Sequence, residues 1–272
     1  MSHSRHPIAL RLQRHVGDAT RLLATVLALP LVDGIFPALV LAGELADPAG
    51  ILEIGLLVFG GSATVAVILA EMTGSRRRRV RVALMVGIPV IVLAAVETAL
   101  APTIESLLDL ATFERFAALV ILAIAAKTAS ARVGEYLPRP AVIVGLGMVA
   151  SLQPAGAQLV VVPDVMLVAR GATAAGVGVA FAVAVALASP WLHDTVDIDR
   201  FRFGSAVALG VLGLSVFGFI PDDAPLALAV LGVSALLAFD PTGDDDSETE
   251  TGEESAANAT ADDAAPDRAP WL

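Results

Sequence analysis

One carboxylate, Asp33, lies in the middle of the first long apolar stretch of the chain, residues 22–42. Pro30, Gly34 and Pro37 surround it, and each proline lacks the N–H that would bond to the carbonyl four residues earlier. A charged Asp at the centre of a membrane helix costs about 3 kcal/mol on insertion scales. The pattern therefore predicts a broken helix at mid-membrane depth, with Asp33 as a proton or cation site.

Four further polar residues lie within or at the ends of other apolar stretches: Glu53, Glu97, Gln153 and Arg170. Ionisable groups inside a membrane mark functional sites when they have a partner, and Arg170 is the natural counter-ion for one carboxylate. We expect these residues to support Asp33 as a substrate or ion site in the outer half of the membrane. The alternative for Glu53, Glu97 and Arg170 is that each extends its side chain to the interface.

The residue types that most enzyme and metal sites need are missing or misplaced. The chain has no cysteine, and its four histidines lie outside the apolar stretches. A histidine base for an intramembrane serine is therefore absent from the spans, and no His-Glu-x-x-His zinc helix exists. We expect a protein that is not an enzyme and has neither a cofactor nor a resident metal.

Apolar stretches of spanning length recur along the chain, which is 56% apolar. Glutamine, proline and glycine interrupt the fifth stretch at residues 153–156, and the eighth is short, so six or seven spans remain alternatives to eight. The expected spans are 22–42, 50–70, 80–100, 113–131, 141–162, 166–188, 203–220 and 224–239.

The charges between the spans test this count, because Lys and Arg collect on the cytoplasmic side of membrane proteins. With eight spans and a cytoplasmic N-terminus, every basic residue except Arg115 and Arg170 lies on the cytoplasmic side. The outer loops carry acidic residues instead. We therefore expect a multi-pass protein of the cell membrane with both termini in the cytoplasm.

Three regions follow: a basic N-terminal arm (1–21), a transmembrane helical domain (22–240) and an acidic tail (241–272) with few aromatics. From Gly243 onward the chain has ten acidic residues and one basic residue, so we expect a disordered tail. A cluster of arginines between the second and third spans is expected to contact lipid headgroups, at about 1 kcal/mol per residue. Because this cluster lies at the membrane surface and the tail is acidic, nucleic-acid binding is disfavoured. The cluster is Arg76, Arg77, Arg78, Arg79 and Arg81.

Four strings resemble a family of haloarchaeal multi-pass membrane proteins of unknown function. They are LATVLALPLVDGIFPALVLAG (23–43), LLVFGGSATVAVILAEM (56–72), FERFAALVILAIAAKTASARVGEYLPRPAVIVGLG (113–147) and FRFGSAVALGVLGLS (201–215). This resemblance implies no activity. A fainter likeness is to the LysE/TerC-type exporter superfamily, in which Asp33 is similar to an early intramembrane acid. Gln153 and Gln158 stand near the place of that group's second acid.

The sequence thus predicts an all-α fold, a polytopic transmembrane helix bundle with a disordered C-terminal tail. The leading function is a secondary transporter or exporter of a small ion or solute that uses Asp33. The alternative is a non-transporting membrane scaffold or regulatory protein that acts through its tail and its arginine cluster. The expected partners are the lipid bilayer and a small ion or solute.

Overall fold

A computed structural model describes residues 18–60, 65, 69, 72, 75–153, 164–220 and 225–239. All regular elements within these ranges are helical, which confirms the expected all-α fold for this part of the chain. The elements are α1 (Asp18–Val32), α2 (Ile35–Leu41), α3 (Pro48–Glu53), a π-helix (Ile54–Gly60), α4 (Arg76–Glu105), α5 (Leu110–Ala129), α6 (Ala131–Tyr136), α7 (Pro140–Ser151), α8 (Val165–Thr195), α9 (Ile198–Val216) and α10 (Leu226–Leu237).

Three helical stretches within the described residues are long and apolar enough to cross a membrane: Ala19–Leu41, Arg76–Glu105 and Val165–Ala188. Three shorter apolar helical stretches, Pro48–Gly60, Pro140–Ser151 and Leu226–Leu237, accompany them. These lengths agree with a membrane protein, and the number of crossings stays a prediction. The arm before residue 18 and the acidic tail lie outside the described residues.

The first membrane stretch is broken where its sequence predicts a break. Helix α1 ends at Val32, and α2 begins at Ile35 after a turn at Asp33 and Gly34. Gly34 has φ of +78°, a left-handed conformation that costs a residue with a Cβ about 1–2 kcal/mol. A Cβ at this position would also lie 3.0 Å from a methyl group of Val144 on α7. Only glycine suits both conditions, which explains where the helix breaks.

The long helices pack in antiparallel pairs, and glycines mark their closest contacts. A Cβ at Gly171 of α8 would overlap Thr98 near the end of α4, whereas Val179 of α8 lies against Gly87 nearer the start of α4. A Cβ at Gly178 of α8 would likewise overlap Phe59 of the π-helix. These contacts agree with the general rule that small residues let membrane helices approach closely.

Helix α9 runs antiparallel to both α5 and α10. Gly213 of α9 packs against Leu122 in the middle of α5, and the Arg202 guanidinium at the start of α9 donates to the Thr128 carbonyl near the end of α5 (3.3 Å). Gly204 of α9 lies against Ser234 near the end of α10. The start of α9 therefore lies at the same end of the bundle as the ends of α5 and α10.

The alternating helix directions place most of the described basic residues at one end of the bundle. Short backbone bridges close each end: Leu108 pairs with Leu152 at one, and Val196 pairs with Phe239 at the other. We call the second the basic end, because it carries the following residues: Arg76 to Arg79, Arg81, Lys127, Arg132, Arg139, Arg200 and Arg202. The opposite, acidic end carries Glu44, Asp47, Glu105, Asp109 and Asp164.

Candidate functional site

Asp33 lies in a cavity of about 420 Å³ whose walls come from five parts of the bundle: the α1–α2 segment, the π-helix, α5, α7 and α9. Polar groups are few, and they come from Asp33 at the break, from Lys127 and Thr128 at the end of α5, and from Ser205 on α9. We call this the Asp33 cavity. Because Lys127, Thr128 and Ser205 belong to the basic end, the cavity lies toward that end and not in the acidic half, where the sequence analysis expected the site. Its apolar lining includes Val26, Leu29, Pro30, Leu57, Ile124 and Leu209.

The two prolines of this segment leave two backbone carbonyls without their usual donors. Pro30 and Pro37 have no N–H, so the carbonyls of Val26 and Asp33 lack their usual helical donors. Both Val26 and Asp33 line the cavity. Within the part of the chain that the structure describes, no donor hydrogen-bonds the Asp33 carboxylate. Unwound backbone next to a carboxylate, as at Asp33 and Gly34, is a feature that transporters use to bind Na⁺ or H⁺.

Lys127 brings the opposite charge to the same cavity. Its ammonium donates to the carbonyl of Pro138 (3.1 Å), and its side-chain stem packs against Gly134, so its position is fixed by the segment after α5. Lys127 and Asp33, both described residues, form no direct ion pair. The charge pattern of the sequence predicts only that Lys127 lies on the cytoplasmic side. The available signal was that the one lysine of the chain follows a wholly apolar helical run.

A second cavity, of about 410 Å³, lies at the acidic end. Its polar lining includes Glu44, Asp47, Glu53 and Ser215, and none of the described residues that line it is basic. We call it the Glu53 cavity. Glu53, which is 8% exposed, accepts a hydrogen bond from the backbone N–H of Leu228 in the first turn of α10 (3.3 Å). A carboxylate at this place accepts from a helix N–H that has no partner within the helix, and the positive end of the helix dipole stabilises its charge.

The two cavities come within about one helical turn of each other. Helix α9 contributes Leu209 to the Asp33 cavity and Leu212 to the Glu53 cavity, a separation of about 4.5 Å along the axis. The segment Pro48–Gly60 contributes Leu57 to the first cavity and Glu53 to the second. Leu209, Leu212 and Leu57 are all buried, at 7%, 1% and 4% exposure. Apolar side chains therefore occupy the region where the two cavities approach each other.

Gln153 has a local structural role at the acidic end. Its side-chain amide donates to the Asp109 carboxylate (3.1 Å), and its backbone N–H donates to the Leu107 carbonyl (2.7 Å). Asp109 in turn caps α5 by accepting from the N–H of Thr112 (3.0 Å). Gln153 thus joins the end of α7 to the α4–α5 turn, and it does not line the Asp33 cavity. The rest of the predicted interruption, residues 154–163, lies outside the described residues.

Glu97 and Arg170 line neither cavity. They lie next to Thr98 and Gly171, which contact each other where α4 crosses α8. One carboxylate oxygen of Glu97 is buried and has no hydrogen-bond partner among the described residues. Of the five residues expected to share one site, the structure therefore places Asp33 and Glu53 in two neighbouring cavities and the other three elsewhere.

The arginine cluster begins α4 at the basic end. Ser75 caps this helix by accepting from the Arg78 N–H (3.4 Å). Arg76, Arg77 and Arg81 line a groove, whereas Arg78 is exposed outside it and Arg79 is partly buried. The expected lipid-facing residues thus divide into three that share one surface and two that do not.

Comparison with protein families gives one match. Residues 90–217, slightly less than half of the chain, are similar to a family described as a family of unknown function (DUF5794). The matched segment includes Lys127 and Ser205 of the Asp33 cavity but not Asp33 itself. Comparison with curated proteins and with solved structures gives no match. These results agree with the expected family of unknown function and do not test a haloarchaeal source or the likeness to LysE/TerC-type exporters.

Proposed function

We propose that the protein is a secondary transporter of a small cation, with Asp33 as its binding site. The observation that carries this proposal is a carboxylate with no donor among the described residues, placed at a helix break inside a cavity. An isolated carboxylate is costly to keep in an apolar bundle unless water or a cation solvates it. The cavity supplies the room for either.

Lys127 acts in this proposal as a built-in competitor for the site. When no cation is bound, the ammonium in the same cavity partly neutralises Asp33 through space. A proton or metal cation that binds Asp33 takes over this neutralising role. Because the Lys127 ammonium is held by Pro138, it stays at the cavity wall and leaves the space beside Asp33 open to the ion.

The second cavity provides the route to the opposite side. A cation released from Asp33 toward the acidic end has to pass the apolar region that includes Leu57, Leu209 and Leu212. The π-helix forms one wall of this region, and such segments are less regular than α-helices and occur often at functional sites. A small change in the packing of the π-helix against α9 would connect Asp33 to the Glu53 cavity. The same change would close the access to Asp33 from the basic end.

The proposal has a defined orientation. With the basic end in the cytoplasm, as the positive-inside rule requires, the Asp33 cavity is accessible from the cytoplasm and the Glu53 cavity from outside. Eight crossings with both termini inside the cell satisfy this arrangement. The role is transport without covalent chemistry, and no enzyme function is proposed.

The experiment compares ion flux in vesicles containing the wild-type protein or Asp33→Asn. Uptake of labelled Na⁺ and Rb⁺ and the fluorescence of a trapped pH dye are measured under imposed ion gradients. The substitution keeps the size of the side chain and removes its charge, so we expect flux to fall at least about 30-fold, equivalent to about 2 kcal/mol of lost ion binding.

Glu53→Gln is the matched control, because it also removes one carboxylate charge near the pathway. Glutamine keeps an oxygen that accepts from Leu228, so flux should stay within about twofold of wild type. Equal flux in wild type and Asp33→Asn would refute the role of Asp33. Wild-type vesicles with no flux of Na⁺, Rb⁺ or protons above protein-free vesicles would refute cation transport and favour the scaffold alternative.

A further inference from the structure

The start of α4 forms a groove with the last third of α8 at the basic end. Arg76, Arg77 and Arg81 line its mouth, and Leu84, Met85 and Leu187 line its body. The groove encloses about 660 Å³. Leu84, Met85 and Leu187 are 42%, 53% and 51% exposed, so no described part of the protein covers them.

The order of charge and apolar surface along this groove follows from the helix period. Residues 77, 81 and 84 lie on one face of α4, since side chains three and four positions apart are neighbours. About 10 Å of helix separates Arg77 from Leu84. A ligand that fits has a negative group at one end and an apolar body that starts within about 10 Å of it.

A second groove at the same end provides an internal contrast. It lies between α9 and α10, and Phe203, Val207 and Leu237 form its apolar lining. The charges at its mouth, Asp199 and Arg200, are of opposite sign. The Arg200 guanidinium also pairs with Asp197 (3.0 Å). A groove with an apolar lining at the basic end therefore does not have to carry a net positive charge. The three arginines distinguish the α4–α8 groove from the α9–α10 groove.

We propose that the α4–α8 groove binds one anionic phospholipid of the cytoplasmic leaflet. Its phosphate lies among Arg76, Arg77 and Arg81, and one acyl chain follows Leu84, Met85 and Leu187 into the membrane. Arginine suits this role because its planar guanidinium bonds phosphate oxygens in pairs. The proposal does not depend on transport, since the groove and the Asp33 cavity share no residue.

The test measures lipid binding to the purified full-length protein in detergent by native mass spectrometry. Phosphatidylglycerol and phosphatidylcholine with the same acyl chains are titrated separately, and inorganic phosphate is added as a competitor. We expect phosphatidylglycerol to bind tighter than phosphatidylcholine. In the variant with Arg76→Gln, Arg77→Gln and Arg81→Gln, its affinity should fall roughly 100-fold, from the contribution of each basic residue near an anionic lipid surface.

The control variant removes the same number of charges from the same end, through Arg78→Gln, Arg132→Gln and Arg139→Gln. These residues are exposed and do not line the groove, so phosphatidylglycerol affinity should change less than about threefold. An equal loss in both triple variants would overturn the proposal in favour of general charge attraction. Unchanged affinity in the groove variant, or displacement of the lipid by millimolar inorganic phosphate, would also overturn it.

Single variants keep the test decisive if the triple variant does not fold. Arg77→Gln and Arg81→Gln should each weaken phosphatidylglycerol binding about fivefold, and Arg78→Gln should leave it unchanged. Size-exclusion profiles and helix content establish that each variant is folded. Three single variants with equal affinity would contradict the assignment of the groove.

Discussion

The Asp33 cavity and the Glu53 cavity are similar in volume, about 420 and 410 Å³, and each contains an acidic residue of an apolar segment. They differ in what that acid contacts. Glu53 accepts from the backbone of α10, 175 residues away in the chain. Asp33 accepts from no donor among the described residues. Among the described residues that line its cavity, Lys127 is the one other charged group.

This difference separates a carboxylate that holds the fold together from one that is available to a ligand. A charge-assisted bond to a helix N–H repays much of the cost of burying Glu53. Asp33 has no comparable bond to a described residue, so we expect water, a proton or a cation to offset its burial. An acid without a donor among the described residues is therefore evidence for function only where it also lines a cavity; Glu97 has a buried oxygen without a described partner but lines neither cavity.

The largest effect is expected at the backbone of the break. Gly34 next to Asp33 and Gly43 in the lining of the Glu53 cavity both have positive φ, +78° and +81°. Gly34→Ala should destabilise the protein by about 2–3 kcal/mol, because left-handed strain adds to a displacement of Val144. Denaturant unfolding in detergent measures this loss.

Gly43→Ala is the matched substitution, because a Cβ there meets nothing within 4 Å. Its cost should be the backbone strain alone, about 1 kcal/mol. If the two substitutions lower the free energy of unfolding equally, the contact between the break and α7 contributes nothing to stability.

A smaller effect is expected from the Lys127 ammonium, which lines the Asp33 cavity and has no counterpart among the described residues of the Glu53 cavity. Lys127→Gln removes the cation that competes for Asp33, so the concentration of ion that half-saturates transport should fall about fivefold, equivalent to about 1 kcal/mol. Arg132→Gln makes the same change of charge at the same end but outside the cavity, and it should leave this concentration unchanged. Initial flux rates over a range of ion concentrations provide the comparison.

Two results would count against Lys127 as a competitor. A rise in the half-saturating concentration on Lys127→Gln would mean that the lysine helps to bind the substrate, as expected for an anionic or zwitterionic solute. An equal change in Arg132→Gln would mean that the net charge of the basic end matters and not the shared cavity.

Local features of this fold were predictable from the sequence, because they depend on residues close together in the chain. Pro30, Gly34 and Pro37 specify a break that neighbouring helices do not override. Spanning length also identified α4 and α8, although both helices continue beyond the predicted spans, to Glu105 and Thr195. The charge pattern of the loops agrees with helix directions that put basic and acidic residues at opposite ends.

The composition of the site was not predictable, because it depends on how distant helices are rotated against each other. Each residue turns a helix by about 100°, so sequence position at similar depth does not decide whether two side chains share a cavity. Arg170 was the expected partner of a carboxylate, and Lys127 is the cation in the Asp33 cavity. The cap that Glu53 provides for α10 joins residues 53 and 228, and no local pattern indicates it.

The central claim is that Asp33 lies in a water-accessible cavity that opens to the cytoplasm and binds a cation. The chain has no cysteine, so Thr128→Cys places a single thiol in the lining of that cavity. The rate of labelling by a membrane-impermeant maleimide is measured in inside-out and right-side-out vesicles, with and without the transported cation. We predict labelling in inside-out vesicles that the cation slows, and no such protection when Asp33→Asn is added. Labelling only from the outer face, or a rate that neither the cation nor Asp33→Asn changes, would contradict the account.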